Sequence, residues 1–439
     1  MIIVGYFSIL AIMLYCENTN AIPSLLFTTI LYLFILAFGL YKNTYKFNIG
    51  YLSSINFLII LHTAVFVCLV PKIWNSDYTT GFYAGWFQND DLFAYLGFIS
   101  LATLVSIMAG CELYLQFFKA NVNSNIYNPP QDANFLFYPF AFIALILSII
   151  AMPSGTILTL RYEDIHEAFD SGLNSASAAS LVCTASCWVL YLQKKTTMRT
   201  ITLFILFLIT VIYCNLLAGK RVEAIATVLA CLVVWERTRL SKITLLTLSF
   251  CGAILFALNL LVGIIRAESW DSQVSVIESV TSESRFLSTQ QDCACTGLIT
   301  LGLLKNGMIK TDYGQTMFNV ILCTFPKYIY ERPEDYASKI VRLNGSPGGS
   351  FFVNEPFVAG GILGVVVSFI CVGIFCVWLE FTPITPSYLI LYMSFFGCLP
   401  RFIHYGWLPG YKYFLFGLLL SLIVLYLPRR NVVINKQLI

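Results

Sequence analysis

Two kinds of residue in this chain could do chemistry together: a few proton acceptors in outer segments, and cations placed where an apolar chain does not want them. The acceptors are Glu355, at the start of a long apolar run, and His404 and His166. The cations are Gly219-Lys220-Arg221, Arg401 with His404 and Lys412, Arg161, and the stretch from Lys327 through Arg332-Pro333 to Arg342. A carboxylate or imidazole can take a hydroxyl proton. Guanidinium groups beside a helix N-terminus can hold a diphosphate bidentately.

Each signal also has a structural reading. Arg221 could snorkel at a helix end, paired to Glu223. Glu355 could simply complement the macrodipole of the helix it opens. The glycines that follow it, Gly360, Gly361 and Gly364, could serve close helix packing. His62, inside Leu-Ile-Ile-Leu-His-Thr, reads as a hydrogen-bonded core histidine. The spacing from Arg161 to Gly172 is weak by itself.

The elements that must position these residues follow from composition. Of 439 residues, 58% are hydrophobic and 11% charged, with mean hydropathy +0.78. A soluble domain carries roughly 25% charged residues, so this chain could not cover a water-facing surface. Lipid must be its solvent. Apolar runs fall at about 2–16, 22–41, 51–71, 92–110, 133–152, 175–192, 200–218, 222–236, 243–265, 351–378, 384–400 and 409–427, against the roughly 20 residues a span needs. The expectation is an all-α polytopic integral membrane protein with about twelve transmembrane helices.

Basic residues near span ends favour the cytoplasm. Lys42, Lys46, Lys194, Lys195, Arg199, Arg237, Arg239, Lys242, Arg429, Arg430 and Lys436 fall on one side if both termini are cytoplasmic. The loops 72–91 and 153–174, which are acidic, fall on the other. This divides the chain into spans one to nine (1–265), a large external loop (266–350), and spans ten to twelve with a cytoplasmic tail (351–439). Within the loop, 294–305 and 315–325 read as helices on the membrane surface or packed over the bundle. Most cysteines lie in apolar runs and act as small hydrophobes; a disulfide among Cys293, Cys295 and Cys323 stays open. Zinc-ligand spacing is absent. No metal or cofactor is expected.

Glu355 with Gly360-Gly361-x-x-Gly364 resembles the signature closing the large outer loop of O-antigen polymerases (Wzy type). Upstream, Tyr313-Gly314-Gln315, Phe325-Pro326-Lys327 and Glu331-Arg332-Pro333 follow in the order of that family's loop. Gly219-Lys220-Arg221 is similar to its Gly-x-Arg step, Leu399-Pro400-Arg401 to its late Pro-Arg, and Arg161 to Gly172 to an Arg-x10-Gly pattern. The resemblance covers roughly 160–415. It departs in the second loop, where Leu343 stands eleven after Arg332.

The resemblance implies a GT-C-like helical bundle in the bacterial inner membrane with its large loop periplasmic. It implies an inverting, metal-independent glycosyltransferase that moves a growing chain from undecaprenyl diphosphate onto a new lipid-linked repeat unit. Glu355, then His404, are the expected bases. Lys220, Arg221, Arg161 and Arg401 would hold the diphosphate, and Lys327, Arg332 and Arg342 the loop side of the substrate. The expected partners are the undecaprenyl-diphosphate-linked oligosaccharide, membrane lipid and, as a candidate, a chain-length-determining copolymerase; nucleic acid is not among them. A flippase for the same lipid and an O-antigen ligase are the competing readings.

Overall fold

The computed structural model describes residues 2–43, 53–75, 78, 90–117, 133–152, 171–217, 221–238, 288–324, 331, 333–336, 339–340, 343, 350–382 and 384–437, with side chains left out for a few helix ends. The helices are α1 (Ile2–Asn18), α2 (Leu25–Tyr41), α3 (Ser54–Val67), α4 (Asp90–Phe117), α5 (Phe137–Ala151), α6 (Ser171–Gln193) and α7 (Thr197–Leu206). After these come α8 (Arg221–Arg237), α9 (Ser288–Lys305), α10 (Gln315–Leu322), α11 (Asn354–Phe381), α12 (Pro386–Tyr405) and α13 (Trp407–Gln437). Between α7 and α8 the chain continues as a π-helix, Phe207–Leu217. Among the described residues there is no strand, only one isolated bridge between Ser350 and Tyr405.

These runs become helices because an apolar segment in lipid must satisfy its own backbone. Their starts are set by hydroxyl caps: Ser24 Oγ accepts from the Phe27 N–H at 3.4 Å and Ser53 Oγ from the Asn56 N–H at 3.2 Å. Among the described residues six helices are long and apolar enough to cross a membrane: Ser54–Ile73, Asp90–Phe117, Asn134–Ala151, Ser175–Gln193, Thr197–Cys214 and Asn354–Phe381. Four more are apolar but shorter, Ile2–Asn18, Leu25–Tyr41, Ala224–Trp235 and Gly410–Tyr426. Residues 384–400 form most of α12. The expected span at 243–265 lies outside the described residues.

The side chains are sorted in the way a lipid solvent demands. Phe27, Ile30 and Phe34 on α2, and Phe142, Ile149 and Ile150 on α5, are exposed. Thr28, His62, Ser100, Thr103 and Ser148 are fully buried. A water-soluble bundle would invert this sorting.

The contacts divide the chain into two compact units. The first comprises Met1–Ser124, Leu287–Thr382 and Arg401–Tyr411. Its centre is α4, which packs against α1, α2, α9 and above all α11. Tyr95 meets Phe357, and further along Gly110 meets Ile370, so α4 and α11 run parallel. A Cβ on Gly110 would overlap the Ile370 carbonyl, and one on Gly373 the Ile107 carbonyl. Glycine on both helices lets the backbones touch, as small residues do between membrane helices.

At the far end of this pair Lys42 forms a buried ion pair with Glu112. The Glu380 carboxylate accepts from the Ser54 N–H (2.9 Å) and hydroxyl (2.8 Å). Lys42, counted above as a loop charge, is therefore an interior residue.

The second unit comprises Asn125–Phe286, Pro383–Pro400 and Lys412–Ile439. Here α5 and α6 pack together, with the Cys187 thiol on the Phe137 carbonyl. Arg199, also counted as a loop cation, is buried. Its guanidinium donates to Asn134 Oδ1 and O, both at 2.7 Å, and lies 4.8 Å over the Phe137 ring. A sequence does not show which basic residue near a span end finds a buried partner.

Overpacking a close helix crossing costs about 1–3 kcal/mol or more. Gly110→Leu or Gly373→Leu should therefore lower the detergent melting temperature by several degrees or abolish accumulation in the membrane. Gly5→Leu, where a Cβ meets nothing within 4 Å, should change neither.

Candidate functional site

The two helices expected inside the outer loop are present, as α9 and α10, and they pack on the bundle. A Cβ on Gly297 of α9 would stand 2.9 Å from Leu96 of α4. Cys295, Ile299 and Leu303 of α9 join Ile309, Tyr336 and Ile340 of the loop in a core that also takes Val358 of α11. The Asp312 N–H donates to the Val358 carbonyl at 3.1 Å. The loop is thus anchored to the first turns of α11. Cys293, Cys295 and Cys323 are buried free thiols, so the disulfide left open above is not formed.

The glycines after Glu355 break α11. Gly361 has φ +60°, a left-handed value, and with Gly360 it separates a short segment, 354–359, from the long apolar one. The break exposes the N-terminus of the long segment, whose orphan N–H groups need partners. Glu17, at the end of α1, satisfies one of them: its two oxygens accept from the Ile362 N–H at 3.0 and 3.2 Å. The Tyr95 hydroxyl donates to the same carboxylate at 3.4 Å. A Cβ on Gly364 would overlap the Pro356 carbonyl, so the two segments fold tightly together. Of these glycines, Gly361 makes the turn and lies against Glu17 of α1, while Gly364 lies on the Pro356 carbonyl of the short segment.

The short segment carries Glu355, which is 2% exposed. Its cradle is built by the end of α12 and the start of α13. The Phe352 N–H donates to the Ile403 carbonyl at 3.2 Å. Gly406, at φ +86°, then turns the chain, and a Cβ there would overlap the Glu355 carboxylate. Trp407 opens α13, and its backbone N–H donates to Glu355 Oε1 at 3.2 Å while its indole N–H donates to the Phe352 carbonyl at 2.7 Å. An anion at a helix N-terminus is electrostatically favoured. Beneath lies an aromatic floor, with Phe352 4.8 Å from Phe369 and 5.2 Å from Phe402, ring to ring. His62 stacks on Phe351, and its Nδ1 is 2.8 Å from the Tyr32 hydroxyl, as a core histidine requires.

Glu355, His404 and Arg401 therefore belong to one neighbourhood. His404 is buried, and its carbonyl accepts from the Cys293 thiol at 3.6 Å. The Arg401 guanidinium lies 4.2 Å over the Tyr405 ring. Arg221 is the first residue of α8, the helix-start position expected for it, with its side chain outside the described residues. Arg161, His166, Lys220, Lys327, Arg332 and Arg342 also lie outside them.

Sequence reasoning missed Glu17, Gly406, Trp407 and Asp292. A lone carboxylate closing an apolar run was the available signal for Glu17. Gly406-Trp407 straight after His404 had no such signal. Asp292 is half-buried on α9 beside Cys293, and burial pushes its carboxyl up to about 6. Burial also pushes the Tyr336 phenol up; its 2.6 Å hydrogen bond with Thr300 opposes this and the Glu355 charge adds to it. Among the described residues no group of His, Cys, Asp and Glu could hold a metal ion. Family models, curated proteins and solved structures compared with the chain gave no match.

The arrangement offers a buried carboxylate, half satisfied among the described residues, on a short segment against which the loop packs. Such a group can accept a proton or a hydrogen bond from something brought to it.

Asp292 yields a test of stability against pH. Its folded value near 6 stands above the ordinary carboxylate value, so the folded chain binds the proton more tightly. Its contribution is fully present at low pH and is lost as pH rises through about 6. Asp292→Asn should raise the melting temperature at pH 7.5 by a few degrees. The gain should shrink to nothing as the medium is brought toward pH 4.

Proposed function

We propose that the chain is an oligosaccharide polymerase acting on lipid-linked repeat units at the outer face of a bacterial inner membrane. The observation that carries this reading is the Glu355 carboxylate: buried, bonded through Oε1 to the N-terminus of α13, and carried on the short segment whose Val358 packs against the loop that the family resemblance singles out. In this reading the chain crosses the membrane about twelve times with both termini cytoplasmic and the 266–350 loop periplasmic.

The reaction joins two sugars. The acceptor hydroxyl oxygen attacks the anomeric carbon of the donor chain and forms the new glycosidic bond. The bond from that carbon to the diphosphate breaks, and its electron pair leaves on the diphosphate oxygen. Attack opposite the leaving group inverts the anomeric centre. Glu355 takes the hydroxyl proton, with His404 the second candidate. Lys220, Arg221, Arg161 and Arg401 stabilise the charge that develops on the leaving diphosphate, as fixed cations in a water-poor site do well. Lys327, Arg332 and Arg342 hold the oligosaccharide on the loop side.

Cells lacking the protein should make lipopolysaccharide capped with a single repeat unit. Loss of all repeat units would mean a ligase, and accumulation of unflipped lipid intermediate a flippase. Glu355→Gln should lower turnover by about 10²–10⁴-fold and remove the acidic limb of the pH–rate profile; a normal ladder would move the base to His404. Arg221→Ala should abolish polymer at normal membrane levels, and Arg221→Lys should rescue it only in part, because lysine lacks the bidentate fork. A full ladder from Arg221→Ala would make this residue a membrane anchor. Orientation is read by labelling Met308→Cys, an exposed loop position, which should react from the periplasm, while a reporter at residue 435 should read cytoplasmic.

A further inference from the structure

Asn354 stands immediately before Glu355 and is 4% exposed. An asparagine at a helix start ordinarily caps it by accepting a backbone N–H. Here α11 has no side-chain cap, so Asn354 does not serve that purpose. Its Nδ2 donor has no hydrogen-bond partner among the described residues, and neither has Glu355 Oε2. The two atoms do not bond each other. A buried polar atom left unpaired costs about 1–3 kcal/mol, and two on consecutive residues of one cradle are rarely kept without a use.

We propose that Asn354 Nδ2 and Glu355 Oε2 together form a hydroxyl-recognition pair for a sugar ring. One ring hydroxyl donates to the Glu355 oxygen, and an adjacent ring oxygen accepts from the Asn354 amide. A donor and an acceptor side by side match vicinal hydroxyls, each of which has a proton to give and lone pairs to offer. A phosphate has only acceptors to offer and would be repelled by the carboxylate. An alkyl chain would leave both atoms unsatisfied. The aromatic side chains of Phe352, Phe402 and Trp407 that back the cradle suit the apolar face of a pyranose. The inference deepens the polymerase reading by giving Asn354 the task of holding the acceptor sugar, but the binding chemistry can be judged without turnover.

The test is Asn354→Leu in the full chain in detergent or nanodiscs, with methyl glycosides as probes. Leucine is close to asparagine in shape and removes the unpaired donor, so the ligand-free melting temperature should rise or hold. Saturation-transfer signals from the methyl glycosides that bind the wild type should fall by about tenfold or more. Asn354→Asp, which exchanges a donor for a second carboxylate, should also lose binding. A drop in melting temperature with Asn354→Leu would overturn the proposal, because it would show the amide to be a structural partner. Unchanged glycoside signals, or none from the wild type at tens of millimolar, would overturn it as well. The polymerase reading fails separately: wild-type glycoside binding with an unaltered ladder in deletion cells would sink that reading and leave the sugar pair standing.

Discussion

The first unit depends on a carboxylate satisfying a broken helix. In lipid an unpaired backbone N–H costs several kcal/mol, so a membrane helix can break only where something replaces the lost bonds. Glu17 does this for Ile362, from another helix and across 345 positions of sequence. Without it, the Gly360-Gly361 turn would leave donors facing hydrocarbon, and the favoured state would be one continuous helix. A continuous helix would rotate residues 354–359 away from the place where they now meet Gly406 and the loop.

The break therefore separates two tasks along α11. The long segment beyond Ile362 is held against α4 by backbone contact at Gly110 and Gly373, which fixes it firmly. The short segment before it is held by the loop core through Val358, by the Asp312 N–H, and by the cradle around Glu355. The loop and the end of α12 thus converge on six residues with a buried carboxylate among them. This anchoring uses no disulfide: Cys293, Cys295 and Cys323 are buried there as free thiols, and Tyr336 and Thr300 pair their hydroxyls.

Several charged side chains are invested in architecture. Lys42 with Glu112, Glu380 with Ser54, and Arg199 with Asn134 are all buried and bonded. In lipid such groups are retained only when paired. Glu355 differs from these carboxylates, because its Oε2 is buried without a hydrogen-bond partner among the described residues. That difference is the physical basis for reading it as the working group.

The sequence by itself determined the helical class and the position of most elements. Apolar runs are long and uninterrupted, and in a solvent that cannot hydrogen-bond the backbone a helix is the local answer wherever they occur. Helices α9 and α10 were legible for the same reason, from the apolar stretches at 294–305 and 315–325. The place of Glu355 at the start of a helix was legible too, since a carboxylate opening an apolar run is costly and conspicuous. Tertiary structure alone decided that the glycines after it make a break, because Gly361 needs φ > 0 only if a cap exists, and that cap is a residue near the other end of the chain. It alone showed that Gly406 and Trp407 form the other wall of the cradle, that Lys42 and Arg199 are interior, and that the Asn354 side-chain nitrogen has no partner among the described residues. Each of these rests on contact between segments far apart in sequence, and local pattern carries no information about which distant group arrives.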